Sequence, residues 1–174
     1  MRVSVLLRTG AASVLLPLLV VPPAFAWGHD GHSLINRLGA ASLPADAPAF
    51  LRSPAALNAI AFYGPEPDHW RNKAEPELYE VESPDHFIDL EYADIIGTFP
   101  RSRFYYLGAL RTALPKHPEF HVKYAEEVGA LPYAINEDYE RLKNTMRTYR
   151  GVVAAKGDTR PAEAEIIFLA GILG

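Results

Sequence analysis

An all-α domain is the fold this sequence predicts, and three observations predict it. Apolar residues recur at helical spacing, proline-rich turns separate the helical stretches, and no alternating strand pattern of useful length occurs. The clearest helix is written by Ile135, Tyr139, Leu142, Met146, Tyr149 and Val153, whose steps of four and three draw an apolar stripe along one face. That stripe is expected to be core. Its complement (Glu137, Asp138, Glu140, Arg141, Lys143, Arg147) reads as a solvated face with acids early and bases late, the order the helix dipole favours. Residues 156–160, with Gly157 as breaker, end it. A further helix is expected over 162–173, with Asp158 or Thr159 capping and Pro161 in the first turn. Being apolar nearly all round, it belongs at the centre of a bundle. Shorter helices are expected over 33–41, 54–62 and 102–114. The stretch 63–91 combines Pro65, Pro67, Pro76 and Pro84 with histidines and many acids, the composition of an ordered functional loop.

The first residues have the three parts of a secretory signal. Arg2 and Arg8 supply positive charge, 11–21 is an uncharged apolar run, and Ala24-Phe25-Ala26 is a small-x-small cleavage site. A membrane anchor needs about 20 apolar residues, and Pro17, Pro22 and Pro23 interrupt this run. The expectation is therefore a signal peptide over 1–26, a mature chain that begins at Trp27, and export to a periplasm or beyond the cell with no spanning segment left after cleavage. Loss of Arg2 and Arg8 takes 17 basic residues to 15 against 21 acidic, and the net charge from −4 to −6. Charge alone cannot hold a polyanion on such a surface, so any phosphate chemistry must be local and carried by a metal. There is no cysteine, which leaves stability to a packed core, to bound metal, or to both. The length suits one helical domain, 27–174.

Three places hold side chains suited to metal chemistry. At Trp27-Gly28-His29-Asp30-Gly31-His32, a freed α-amine and the carbonyl oxygen of Trp27 can close a five-membered chelate, and His32, one helical turn on, can add an imidazole. The alternative is an ordinary apolar anchor with His29 and His32 on the surface of a mobile end. Tyr63-Gly64-Pro65-Glu66-Pro67-Asp68-His69-Trp70 and Ser83-Pro84-Asp85-His86-Phe87-Ile88-Asp89-Leu90-Glu91 can each offer zinc a carboxylate or an imidazole, with neighbouring acids orienting the ring. Asp68 and His86 are the preferred pair; Glu66, His69, Asp85 and Asp89 compete, and a solvated acidic loop is the plainer alternative. His117 and His121 stand four apart, but Pro118 lies between them and no His-Glu-x-x-His pattern is present, so they are read as surface residues.

The terminal Trp-Gly-x-x-Gly-His, the Asp two residues before Trp70, and His86-Phe87-Ile88-Asp89 together resemble the superfamily of S-one/P-one type nucleases and zinc-dependent phospholipases C. Gly129-Ala130-Leu131-Pro132-Tyr133-Ala134-Ile135 also looks like a segment of its bacterial members. The resemblance covers 27–174. It implies a multi-helix bundle of phospholipase C/nuclease type with three zinc ions in one cleft. Trp27 and His32 would bind one zinc, and Asp68 and His86 another as half of a close pair. Phe87 would be the wall for a base and Asp89 a carboxylate beside it; the phospholipase branch keeps an aromatic there too.

The function implied is zinc-dependent phosphodiester hydrolysis, foremost by a nuclease that prefers single-stranded DNA or RNA. A phospholipase C and an exported metal-binding module without catalysis are the alternatives. Asp68 would be a ligand first and possess a second, catalytic role as proton acceptor from attacking water. No stable protein partner is expected. The family's remaining His and acidic ligands would follow Gly174, so the bundle is expected to be incomplete at that end, and residues 27–174 alone to bind zinc weakly and turn over negligibly.

Overall fold

Helices make up most of residues 28–174, the part of the chain that the computed structural model describes, and the fold is all-α as predicted. The expected signal peptide over 1–26 and Trp27 lie outside the described residues. Among the described residues no helix is long and apolar enough to cross a membrane. β-type pairing there amounts to one antiparallel bridge between Ile88 and Gly129.

Helix α1, His29–Ala41, opens ahead of the expected residue 33. The Gly28 carbonyl accepts from the amides of Gly31 (2.8 Å) and His32 (3.2 Å), and Asp30 sets a carboxylate in the electropositive first turn. Helix α2, Pro54–Tyr63, starts where the Ser53 hydroxyl accepts from the Ala56 amide at 3.1 Å, with Pro54 at the first position.

The stretch 63–91 is not a loop, and here the expectation is corrected. It folds as α3 (Glu66–Trp70), α4 (Pro76–Glu82), a 3₁₀ turn (Ser83–His86) and the start of α5 (Leu90–Ala93). Pro67, Pro76 and Pro84 stand in the opening turns of these elements, where a missing N–H leaves no bond unmade. The prolines read as breakers are starters. Helices α6 (Arg103–Ala113), α7 (Leu131–Ala154) and α8 (Arg160–Ile172) complete the order. At the head of α8 the Asp158 carboxylate accepts from the Arg160 amide at 3.1 Å.

Two apolar cores form. One gathers Tyr106 and Leu110 of α6 with Leu114, Ala125, Val128, Ala130 and Tyr133. The other joins Ala40, Leu51, Ile60 and Ile166, with Leu142, Met146 and Tyr149 packed against them. Helix α7 serves both. Tyr133 and Leu142 are about two and a half turns apart, so α7 turns roughly opposite faces to the two cores. The expected stripe is accordingly core only in its middle: Ile135, Tyr139 and Val153 are 50%, 51% and 48% exposed. Near its start α7 turns Tyr133 inward instead, and α8 covers the stretch around Leu142, Met146 and Tyr149.

Asn36 fastens the second core. Buried in α1, its Nδ2 donates to the carbonyls of Ile60 in α2 (2.9 Å) and Gly171 in α8 (2.6 Å), so one amide ties three helices.

Candidate metal centre

Asp68 rides on the short helix α3, which is anchored from both ends. Pro65 is fully buried at its start, and at its end the Trp70 ring lies 6.5 Å from Phe168 of α8, itself edge-on to Tyr63 at 5.2 Å. With α3 so held, the Asp68 carboxylate stands between two imidazoles. Its Oδ2 is 3.4 Å from Nε2 of His32 on α1, and its Oδ1 is 3.6 Å from Nε2 of His86 in the 3₁₀ turn. Arg71 reaches the same carboxylate more loosely, at 3.9 Å.

The orientation of His86 is fixed by hydrogen bonding. Its Nδ1 lies 2.9 Å from the Glu82 carbonyl oxygen. A carbonyl only accepts, so Nδ1 carries a proton and Nε2 is the ring nitrogen turned toward Asp68. That Nε2 is buried and has no hydrogen-bond partner. A buried ring nitrogen facing a carboxylate oxygen needs something positive between them, either a proton on the ring or a metal ion.

Two ligands each about 2.0–2.1 Å from a tetrahedral zinc stand about 3.3–3.4 Å apart, close to both separations at Asp68. Two imidazoles and a carboxylate are also a normal zinc donor set. The side chains present therefore fit zinc in kind and spacing, as two pairs that share Asp68. Among the described residues no three His, Asp or Glu side chains already converge as a single coordination group.

Two of the competing acids, Glu66 and Asp85, have other partners. Glu66 pairs with His69 at 3.3 Å, and the His69 ring stacks near His29 with centroids 6.2 Å apart. Asp85 is held by Arg103 through contacts of 2.7 and 2.9 Å. His117 pairs with Glu119 at 3.0 Å, and His121 takes a left-handed conformation between short turns, so these two histidines share no helix face.

Beyond His86 the chain runs extended through Phe87 and Asp89, both half-buried. The 128–131 segment pins it. The Asp89 amide donates to the Val128 carbonyl at 2.8 Å, the Leu131 amide to the Phe87 carbonyl at 3.1 Å, and the Ala130 amide to the Pro84 carbonyl at 2.6 Å. The two segments that carry the resemblance therefore touch. Gly129 is required at the contact: its φ is +85°, and a β-carbon there would collide with the Phe87 carbonyl. Beneath it, the Tyr106 hydroxyl donates to the Gly129 carbonyl at 3.0 Å. Burial, then Tyr133 and Asp89 nearby, push the Tyr106 phenol up to about 12. Burial, with Asp85 and Asp138 adding, raises the Glu82 carboxyl above its ordinary range, while Arg103 and Arg141 oppose the shift.

A groove of about 680 Å³ borders the same turn. Tyr79, Phe87 and Tyr124 give it aromatic walls, and Glu80, Glu126 and Glu127 line it with carboxylates. Sequence reading missed this groove, and it missed Arg103, because neither the aromatic trio nor the arginine belongs to a local pattern. Trp27 lies outside the described residues. No family model matches the chain, and neither a curated protein nor a solved structure matches it.

Proposed function

We propose that this protein hydrolyses phosphodiester bonds with zinc, and that single-stranded DNA or RNA is its substrate. One observation carries the reading: the Asp68 carboxylate stands 3.4 Å from Nε2 of His32 and 3.6 Å from Nε2 of His86. Zinc held there would supply Lewis acidity toward water and phosphoryl oxygens at neutral pH. His86 is oriented for ligation by the Glu82 carbonyl, which keeps the proton on Nδ1. Asp68, with 43% of its side chain exposed, can serve as ligand and also accept a proton from solvent-side water. The α-amine of Trp27 is proposed to join His32 in a neighbouring site, with further His and acidic ligands as the resemblance implies. A base stacked on Phe87 would lie one residue from the His86 ligand, with Asp89 as acceptor for its amino groups.

The groove beside Phe87 supports a second reading, a zinc-dependent phospholipase C. Aromatic walls with nearby carboxylates suit a quaternary ammonium head group. One assay separates the readings: the exported, processed protein with added zinc is offered single-stranded DNA and phosphatidylcholine vesicles. Zinc-dependent cleavage of the DNA, lost in Asp68→Asn, supports the nuclease. Turnover of the vesicles alone selects the phospholipase. Bound zinc with neither reaction reduces the protein to a metal-binding module, and no zinc at all overturns the proposal.

A further inference from the structure

We propose that Arg103 is a positioning residue for this centre, clamping Asp85 to Glu137 and so fixing the turn that presents His86 to Asp68. Its functional consequence rests on the zinc reading above; its geometry does not. Arg103 opens α6 and uses both edges of its guanidinium. Nη1 donates to both carboxylate oxygens of Asp85 at 2.7 and 2.9 Å, while Nε and Nη2 each reach Glu137 of α7 at 3.1 Å. Arg103 and Asp85 are each only 19% exposed, so this is no loose surface pair.

The placement matters because Asp85 immediately precedes His86. Three consecutive residues are each pinned by a different partner: Pro84 by the Ala130 amide, Asp85 by Arg103, and His86 by the Glu82 carbonyl. Removal of the middle restraint frees the peptide that sets the ring's direction. Arg103 also stands among carboxylates. Asp138 has its own partner in Arg141, but Asp85 and Glu137 share Arg103, and Glu82 lies within its field. Without it, Asp85 and Glu137 face each other uncompensated and the turn is pushed from α7.

The clamp is not needed to join α6 to α7. Tyr106 and Tyr133 already do that, with ring centroids 4.7 Å apart. What Arg103 adds is a hold on Asp85.

The test compares the whole protein with Arg103→Gln, Arg103→Lys and Glu137→Gln. Arg111→Gln is the control, since it removes another ion pair of α6, the one with Glu126. Nitrogen chemical shifts report the His86 tautomer in metal-free protein, and zinc titration reports affinity. Arg103→Gln should mix the two tautomers and weaken zinc about 10- to 100-fold, the range for orienting groups behind a ligand. Arg103→Lys and Glu137→Gln should fall between it and the native protein, and Arg111→Gln should match the native protein. If Arg103→Gln fails to fold, the two milder variants decide. A single His86 tautomer in every folded variant would overturn the clamp. Absence of zinc binding in the native protein would instead sink the zinc reading, leaving the tautomer measurement to judge Arg103.

Discussion

The hydroxyl of Tyr106 donates to the carbonyl of Gly129 at 3.0 Å, so a fully buried phenol in α6 supports from below the segment that pins Phe87. Burial holds this phenol neutral, with its pKa at about 12, whereas an unfolded tyrosine ionises near about 10. Between those values the unfolded chain has released its proton and the folded one has not. Stability from this group is therefore complete below about pH 10 and is lost as pH rises toward about 12. The Tyr133 phenol is raised in the same direction by burial and adds to the effect. Urea midpoints measured across that window should fall steeply for the native protein and less steeply for Tyr106→Phe. At neutral pH the same variant should lose about 1–2 kcal/mol, because the Gly129 carbonyl is left without its donor.

Gly129→Ala should cost more. A β-carbon there meets the Phe87 carbonyl, and the φ of +85° is unfavourable for any side chain. We expect a loss of about 1–3 kcal/mol in chemical denaturation, the usual size of such backbone strain. The loss should come with altered amide shifts at Asp89 and Leu131, whose backbone bonds bracket the contact. Unchanged shifts together with native stability would contradict this account of the pinned segment.

Asn36→Leu tests the second core. It removes both donations from the buried Nδ2, to Ile60 and to Gly171. The expected cost is about 1–3 kcal/mol in thermal or urea unfolding. Hydrogen exchange should quicken first in α8, which is joined to α1 through this amide.

Much of the fold was legible because helix signals are local. Pro54 after Ser53 and the apolar spacing of α6 each act within a few residues. Helix α7 ends at Ala154, and it is Lys156, not the expected breaker Gly157, that takes a left-handed φ of 55°. What periodicity does not reveal is what covers a face. Ile135 and Tyr139 share a stripe with Leu142, yet only the latter meets the second core. In 63–91 the same prolines that suggested a loop prove to start short helices, a distinction that depends on position within a turn. In the sequence Asp68 and His86 are the preferred pair, but spacing does not exclude Glu66, Asp85 or Asp89, and His32 is expected to join Trp27 rather than to meet Asp68. The structure brings Asp68, His32 and His86 together and gives Glu66 and Asp85 to His69 and Arg103. Arg103 itself was illegible, because its partners lie 18 and 34 residues away.

Equilibrium dialysis with zinc counted per chain decides whether Asp68, which stands between His32 and His86, is a zinc ligand. Four proteins suffice: native, Asp68→Asn, His86→Ala and Glu66→Gln. Glu66 shares α3 with Asp68 but pairs with His69, so its variant controls for a general change of charge in that helix. Asp68→Asn and His86→Ala should each weaken zinc by at least about tenfold, as loss of a ligand should if even its supporting groups matter that much. Glu66→Gln should bind as the native protein does. Native-like zinc binding in both Asp68→Asn and His86→Ala would mean that neither side chain holds zinc.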